Sequence, residues 1–284
     1  MPTQYIDFRQ WLQYDLSYEE SDFINSIESF ISGINLWSEF ERALGSIQTK
    51  DYLQHLIQEN IKQQNENNKI VTATDICDAI QNYCKINYDY LIYSFIFWTR
   101  TIETIGVKTV YKELYAEDHW FVTFNYTNTL EQLYGIPQDK ILHIHGNIKT
   151  DPYRIIVGHN HDYQHDRKVI QDILYSQFIF DGDEVIDQMI EFLNYTYKNT
   201  NEIIYENYDY FIELKNAGIE KIIVMGHSFG EIDWSYFDYI HHICPDAQWE
   251  LSFYKSPEDI IAADKMNKNL RLKAVFTQID DKRR

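Results

Sequence analysis

Short apolar runs occupy the second half of the chain, and they constrain its fold more than any other feature. The runs are rich in β-branched residues, and they cover residues 120–124, 141–145, 155–157, 222–225, 249–254 and 272–276. Parallel strands with helices on both faces have this composition, because they lack the alternation of polar and apolar residues that half-exposed strands show. Stretches with helical spacing at 185–197 and 207–217 lie between them. This succession predicts an α/β fold with a doubly wound, mostly parallel sheet.

The first two-fifths of the chain has helical periodicity instead. Apolar residues recur at helical spacing in residues 37–44 and 53–61, and the polar run 63–69 predicts a loop after them. Thr72 or Thr74 is then placed to cap a long helix.

A further helical run over about residues 90–115 leads up to the first predicted strand. We therefore predict a single domain over residues 1–284, with a mainly helical region at 9–116 and an α/β core at 117–280. The last five residues have the character of a frayed tail.

The formal charge of −19, from 44 acidic and 25 basic residues, argues against general binding to nucleic acid or to an anionic membrane. A small anionic ligand stays open, because backbone N–H groups at a helix N-terminus can hold phosphate. No apolar run is long enough for a membrane span, and the N-terminus lacks the features of a secretory signal. We expect a cytoplasmic protein. The odd count of cysteines, Cys77, Cys84 and Cys244, favours reduced thiols over a disulfide framework.

Doubly wound sheets bind ligands beyond the carboxyl ends of their strands, so the polar residues that follow each run are the site candidates. Asn125 follows the first run, where its amide could point into a crevice or simply cap a turn. His143 and His145 lie two apart on the next run and should share a face. His145, beside Gly146, is the better candidate for acid–base chemistry.

Residues 158–166 contain His159, His161 and His165, which with His143 and His145 makes five histidines within 23 positions. A metal site is one interpretation of this density. However, the His-Glu-x-x-His spacing is missing and no cysteine lies near, so we predict a solvated loop and no metal.

A Gly-x-Ser-x-Gly sequence follows the run at 222–225 and reads Gly226-His227-Ser228-Phe229-Gly230. In this strand–turn–helix setting it matches the nucleophile elbow of α/β-hydrolases. That fold needs an acid and then a histidine downstream, whereas no histidine follows residue 242. The alternative is a loop that binds phosphate or ribose through its backbone N–H groups and hydroxyl.

Taken together, these segments resemble the AbiH family of bacterial abortive-infection proteins. The resembling pieces are residues 37–41, 124–131, 143–146, 158–159 and 226–233. The family in turn resembles sirtuin-like NAD-binding proteins, which implies a Rossmann-like core. In phage defence, sirtuin-like proteins include NAD-hydrolysing enzymes.

The resemblance implies catalytic roles for two residues. Asn125 would position water or the ribose hydroxyls, and His145 would accept a proton as the glycosidic bond to a positively charged leaving group breaks. The residues that would bind the nucleotide, with NAD as the implied cofactor, are Thr123, Tyr126, Gly146, Gly226, His227, Ser228, Glu231 and Asp233.

Three functions follow from this reasoning. The first is an anti-phage protein with a nucleotide pocket that hydrolyses NAD. The second is a non-enzymatic sensor that binds a nucleotide or a phage-derived trigger. The third, and least favoured, is a hydrolase that uses Ser228. The sequence leaves open whether the protein forms oligomers.

One departure from the family pattern lies at the start of the chain. AbiH-like proteins begin with an apolar strand and a Gly-Asn-Gly-Phe-Asp loop, whereas here the first glycine is Gly33. We therefore expect the first strand and its glycine loop to be missing. A chain without them should bind a dinucleotide weakly and be less active and less stable than a relative that has them.

Overall fold

The computed structural model describes residues 5–15, 41, 44, 57, 58, 71–102, 119–161, 166–177, 179, 182–253 and 257–278. Contacts within the chain group into two compact units. Unit 1 comprises Met1–Ile102 and Ile156–Lys198, and unit 2 comprises Glu103–Ile155 and Asn199–Arg284. The predictions for residues 37–44, 53–61 and 63–69 fall largely outside the described residues, as do the end of the 90–115 helix, residues 162–165 and the C-terminal tail.

The described part of unit 1 is helical. Its helices are α1 (Tyr5–Asp15), α2 (Ala73–Ala79), α3 (Ile86–Thr101), α5 (Asp166–Ser176) and α6 (Asp183–Tyr195), and a π-helical turn (Ile80–Lys85) joins α2 to α3. The predicted cap is confirmed at Thr72, whose hydroxyl accepts from the Asp75 N–H while the Asp75 carboxylate accepts from the Thr72 N–H. Phe8 is fully buried against the rings of Phe95 and Trp98, at centroid distances of 5.5 and 5.3 Å.

Unit 2 contains two parallel sheets in its described residues. β1 (Phe121–Thr123) pairs with β2 (Ile141–His143), while β3 (Lys221–Val224), β4 (Gln248–Phe253) and β5 (Val275–Gln278) form the second sheet in that order. The helices of this unit are α4 (Thr129–Tyr134), α7 (Thr200–Glu206), α8 (Tyr208–Asn216), α9 (Trp234–Ile243) and α10 (Pro257–Leu270). A mixed α/β protein with short, open, parallel sheets is confirmed.

Parallel pairing was predicted correctly, but burial on both faces was not. β2 is buried at Ile141 and Leu142 and β4 at Trp249 and Leu251, whereas Ile223 of β3 is 37% exposed and Val275 of β5 is 66% exposed. Apolar runs therefore overstated how completely helices cover these short sheets.

Two predicted strands differ in the structure. Residues 155–157 form no strand, and the Val157 carbonyl accepts from the Tyr88 hydroxyl at 2.5 Å instead of from a neighbouring strand. The last strand begins at Val275 rather than at 272. Asn267 of α10 holds the preceding residues by accepting from the N–H groups of Leu272 and Ala274, and the intervening Lys273 has a positive φ of 52°.

Candidate functional site

The ring of Phe124 forms the centre of an aromatic cluster in unit 2, directly after β1. It lies 5.3 Å from the imidazole of His145, which follows β2, and 4.5 Å from that of His227, which follows β3. It also stacks on Phe237 of α9 at 5.5 Å and 16°. The segments that follow β1, β2 and β3, strands of two separate sheets, therefore meet here.

Asp233 places a carboxylate between these two imidazoles. Its Oδ1 lies 3.5 Å from His145 Nε2, and its Oδ2 lies 3.3 Å from His227 Nε2. The three side chains, which we call the His–Asp–His centre, are 4%, 9% and 8% exposed for His145, Asp233 and His227. Asp233 comes from a 3₁₀ turn (Glu231–Asp233) that leads directly into α9, so the helix fixes its position.

The orientation of His227 follows from its hydrogen bonds. Its Nδ1 lies 2.8 Å from the backbone N–H of Phe229 and must accept, because an N–H can only donate. The remaining proton of the neutral ring then sits on Nε2, which faces Asp233. Positive φ angles at Gly226 (65°) and Phe229 (57°) turn the loop back so that this bond can form.

The same loop does not have the geometry of a nucleophile elbow. In an elbow the serine sits at the strained position of the turn. Here the non-glycine residue with positive φ is Phe229, not Ser228. The Phe229 side chain is buried, and its carbonyl accepts from the Trp234 indole N–H at 3.0 Å. Ser228 has no positive φ. These features disfavour Ser228 as a nucleophile.

His143 does not share the surroundings of His145. Its Nδ1 donates to the Asn125 carbonyl at 3.0 Å, and its Nε2 lies 2.9 Å from Glu131 Oε1. The expectation that both histidines lie on one strand face is wrong, because β2 ends at His143 and the Gly146 N–H closes a turn onto the His143 carbonyl.

The predicted catalytic pair is separated by burial, since Asn125 is exposed and His145 is buried. The backbone of Asn125 is nevertheless tied down, because its N–H donates to the Thr123 hydroxyl at 3.2 Å and its carbonyl accepts from His143. The ring of Tyr126 lies 6.2 Å from that of His145.

The backbone conformation and packing explain why residue 146 is a glycine, with no need for a ligand. Its φ is +90°, and a Cβ there would lie 2.4 Å from the Arg154 carbonyl oxygen. Glu231 is directed away from the centre: its carboxylate pairs with Lys265 of α10, and both side chains are more than half exposed. The centre therefore joins His145, His227 and Asp233 of the predicted set, with Thr123 and Tyr126 beside it.

Two features were not predicted. One is a cavity of about 470 Å³ in unit 2, on the α7 and α9 side. The other is a buried ion pair in unit 1, where Lys198 Nζ lies 3.3 Å from Glu41 Oε1 and the side chains are 0% and 3% exposed. Glu41 belongs to a segment singled out by the family resemblance. Its lysine partner lies 157 residues away, a separation that periodicity cannot bridge.

The surroundings of this ion pair are also polar and buried. The Gly158 N–H donates to Glu41 Oε1 at 3.3 Å, and the Lys198 N–H donates to the His159 carbonyl at 2.6 Å. Burial and the nearby His161 lower the pKa of His159 to about 4, while burial raises the pKa of Tyr88. The loop predicted as solvated thus begins in the interior of unit 1.

The comparison with protein families supports the resemblance to the AbiH family. The model of the bacteriophage abortive infection AbiH family matches residues 1–253, so the chain belongs to this family. Neither the curated proteins nor the solved structures contain a match. Among the described helices, none has the length and apolar character needed to cross a membrane.

Proposed function

We propose that this AbiH-family chain is an anti-phage protein whose His–Asp–His centre belongs to a nucleotide pocket of the sirtuin-like kind, and that it hydrolyses NAD. The observation that carries the proposal is a buried carboxylate held between two imidazoles at the ends of three parallel strands. A carboxylate next to a histidine orients the ring and stabilises its protonated form, which is the arrangement of a general base.

In this proposal water attacks the ribose carbon as the bond from that carbon to the nicotinamide nitrogen breaks. Nicotinamide leaves neutral with the electron pair of that bond, and His145 accepts the proton that the water releases. Asp233 stabilises the imidazolium that forms, and His227 holds Asp233 in place through its Nε2–H. Asn125, at the exposed rim, positions the water or the ribose hydroxyls. The Phe124 ring between the two imidazoles keeps the centre dry, which strengthens the interaction between Asp233 and a protonated His145.

The residues fit the sugar end of NAD better than its pyrophosphate. Polar groups for proton transfer and hydroxyl binding are present in His145, Asp233 and Asn125. At the start of α9, however, Glu231 and Asp233 place carboxylates where a phosphate would gain from the helix dipole. Any phosphate contact at this point therefore depends on the N–H groups of the 226–230 loop.

NAD consumption by the purified full chain tests the proposal, with three variants made in parallel. His145→Gln and Asp233→Asn keep side-chain volume and should each lower turnover by a factor of at least about 100, within the range that acid–base catalysis contributes. His119→Gln, which changes an exposed histidine outside the centre, should turn over NAD like the parent chain. Thermal unfolding curves verify that all three variants fold.

Equal NAD turnover in parent and centre variants, with all chains folded, contradicts the proposal. So does an absence of NAD turnover in the parent under conditions where it protects cells from phage.

A non-enzymatic sensor is the second candidate, and the burial of the centre favours it. The side chains of His145 and Asp233 are 4% and 9% exposed, so a substrate reaches them only after the surrounding residues move. In a sensor, a nucleotide or a phage component would bind by shifting that local equilibrium. Intact phage protection by the folded His145→Gln variant would support the sensor over the enzyme.

A further inference from the structure

The outer face of α9 lines a groove that lies apart from the His–Asp–His centre. Tyr236, Phe237 and Ile240 face the core from this helix, while other residues of the same helix face a cavity of about 470 Å³. This volume lies within the range of small-molecule sites. The lining residues are Asn201, Ile204, Ser235, Asp238, Tyr239, His241, His242 and Pro245.

The charge of the lining selects against anions. Asp238 is its one carboxylate, and the lining contains neither lysine nor arginine. The chain as a whole carries a formal charge of −19, which repels anions at long range and attracts cations. A phosphate or carboxylate ligand would thus find no lysine or arginine here, and the Asp238 carboxylate would repel it.

The shape and polarity of the lining suit an organic cation. Asp238 can accept a hydrogen bond from an ammonium or guanidinium group, and the amide oxygen of Asn201 and the hydroxyl of Ser235 can accept further hydrogen bonds from the same group. The cationic group can lie over the face of the Tyr239 ring in a cation–π contact, and Ile204 and Pro245 can contact the aliphatic stem of the ligand.

A metal ion is a poorer occupant, because the described part of the chain contains no group of three or more His, Cys, Asp or Glu able to hold one.

We propose that this groove binds a small organic cation, with its ammonium or guanidinium group on Asp238 and Tyr239. The cation is either a free amine or the basic side chain of a protein segment. The site is separate from the His–Asp–His centre, and its existence does not depend on NAD hydrolysis.

Binding is measured on the full chain at physiological salt, which screens general attraction to the acidic surface. Three probes are titrated: agmatine, spermidine and an acetyl-Gly-Arg-Gly-amide peptide. Calorimetry gives the affinity, and backbone amide NMR shifts at 201, 235 and 238–242 give the location. We expect saturable binding, with Asp238→Asn weakening it at least about 10-fold.

Asp246→Asn is the matched control, because it removes the same charge from an exposed position close by that does not line the groove. It should change the affinity less than about 2-fold. Tighter binding of agmatine or spermidine than of the peptide supports the groove as a site for a free amine, and the reverse order supports a protein-borne side chain. No saturable shift for any probe up to about 10 mM, or equal weakening by both variants, overturns the proposal.

Discussion

Both units bury ionisable groups, but they do so in opposite ways. In unit 1, Glu41 and Lys198 have opposite charges at neutral pH, and the Gly158 N–H adds a third contact. In unit 2, Asp233 sits between two imidazoles, and His227 keeps its Nδ1 unprotonated because that nitrogen accepts from the Phe229 N–H. The first arrangement is an ion pair, whereas under the proposed function the second leaves His145 to take up a proton beside the carboxylate.

Under the proposed function, the difference separates a structural role from a chemical one. The Glu41–Lys198 pair ties together segments 157 residues apart, and Tyr88 adds a bond to the Val157 carbonyl across 69 residues. Such contacts specify how the chain closes on itself. The His–Asp–His centre joins loops at strand ends, where a carboxylate can tune an imidazole. We therefore expect substitutions in unit 1 to change stability and those in unit 2 to change function.

The largest effect is expected from Lys198→Met, because the Glu41 carboxylate would then be buried without its counter-ion. The free energy of unfolding should fall by about 3–5 kcal/mol, as found when one partner of a buried pair is removed. Denaturant titration of the purified chain measures this loss. The double variant Glu41→Gln with Lys198→Met removes both charges and should recover most of it.

Asp233→Asn is the matched change in unit 2, and it should cost only about 1–2 kcal/mol, because the amide keeps the shape and can still accept from His227. A cost as large as that of Lys198→Met would break the comparison and make the centre structural. A loss below about 1 kcal/mol for Lys198→Met would also contradict the comparison, because the buried ion pair would then contribute little to stability.

Each cluster also depends on a glycine packed against a carbonyl oxygen. A Cβ on Gly158 would lie 2.3 Å from the Thr196 oxygen, and one on Gly146 would lie 2.4 Å from the Arg154 oxygen. Alanine at either position should lower the free energy of unfolding by about 2–4 kcal/mol, because backbone must move. Gly218→Ala, at φ +67° in open space, should cost only about 1 kcal/mol. Equal costs at all three positions would show that the close contacts with carbonyl oxygens do not determine the cost.

Local patterns predicted the elements of unit 2 well. β1, β3, β4 and α9 lie where the apolar runs and helical spacing placed them, and the three predicted site segments meet around Phe124. This works because short parallel strands have a recognisable composition and because their ends converge.

Long-range partners could not be predicted in the same way. Nothing in the spacing around Glu41 indicates Lys198, and the β-branched residues 155–157 resemble a strand although they form none and the Val157 carbonyl accepts from the Tyr88 hydroxyl. Asp233 was assigned to ligand binding, whereas its position between His145 and His227 depends on tertiary structure. Periodicity reports which face is buried, and it does not report which buried groups meet.

The pH dependence of unit 1 gives a third test, through His159. Burial lowers its pKa to about 4, while an unfolded histidine titrates near 6.5. Below about pH 6.5 the unfolded chain therefore binds a proton that the folded chain refuses, so stability falls as pH drops towards 4. The contribution is on the order of 3 kcal/mol when complete.

His159→Gln should flatten this part of the stability curve between about pH 6.5 and 4, whereas His119→Gln should leave it unchanged. Chemical denaturation at a series of pH values measures both. A parent chain whose stability is constant across this window would contradict the assignment.

The smallest effect should come from a lysine–glutamate pair in unit 1 that is not buried. Lys85 Nζ lies 3.8 Å from Glu191 Oε1, with the side chains 30% and 61% exposed, and it also lies 5.0 Å from the centre of the Tyr195 ring. Water already solvates both charges, so Glu191→Gln should change the free energy of unfolding by no more than about 0.5 kcal/mol. Lys85→Met should cost slightly more, up to about 1 kcal/mol, because it also removes the contact with the ring. Since the residue types match those of Glu41 and Lys198, a cost near 3 kcal/mol here would show that burial is not what distinguishes the pair in the interior.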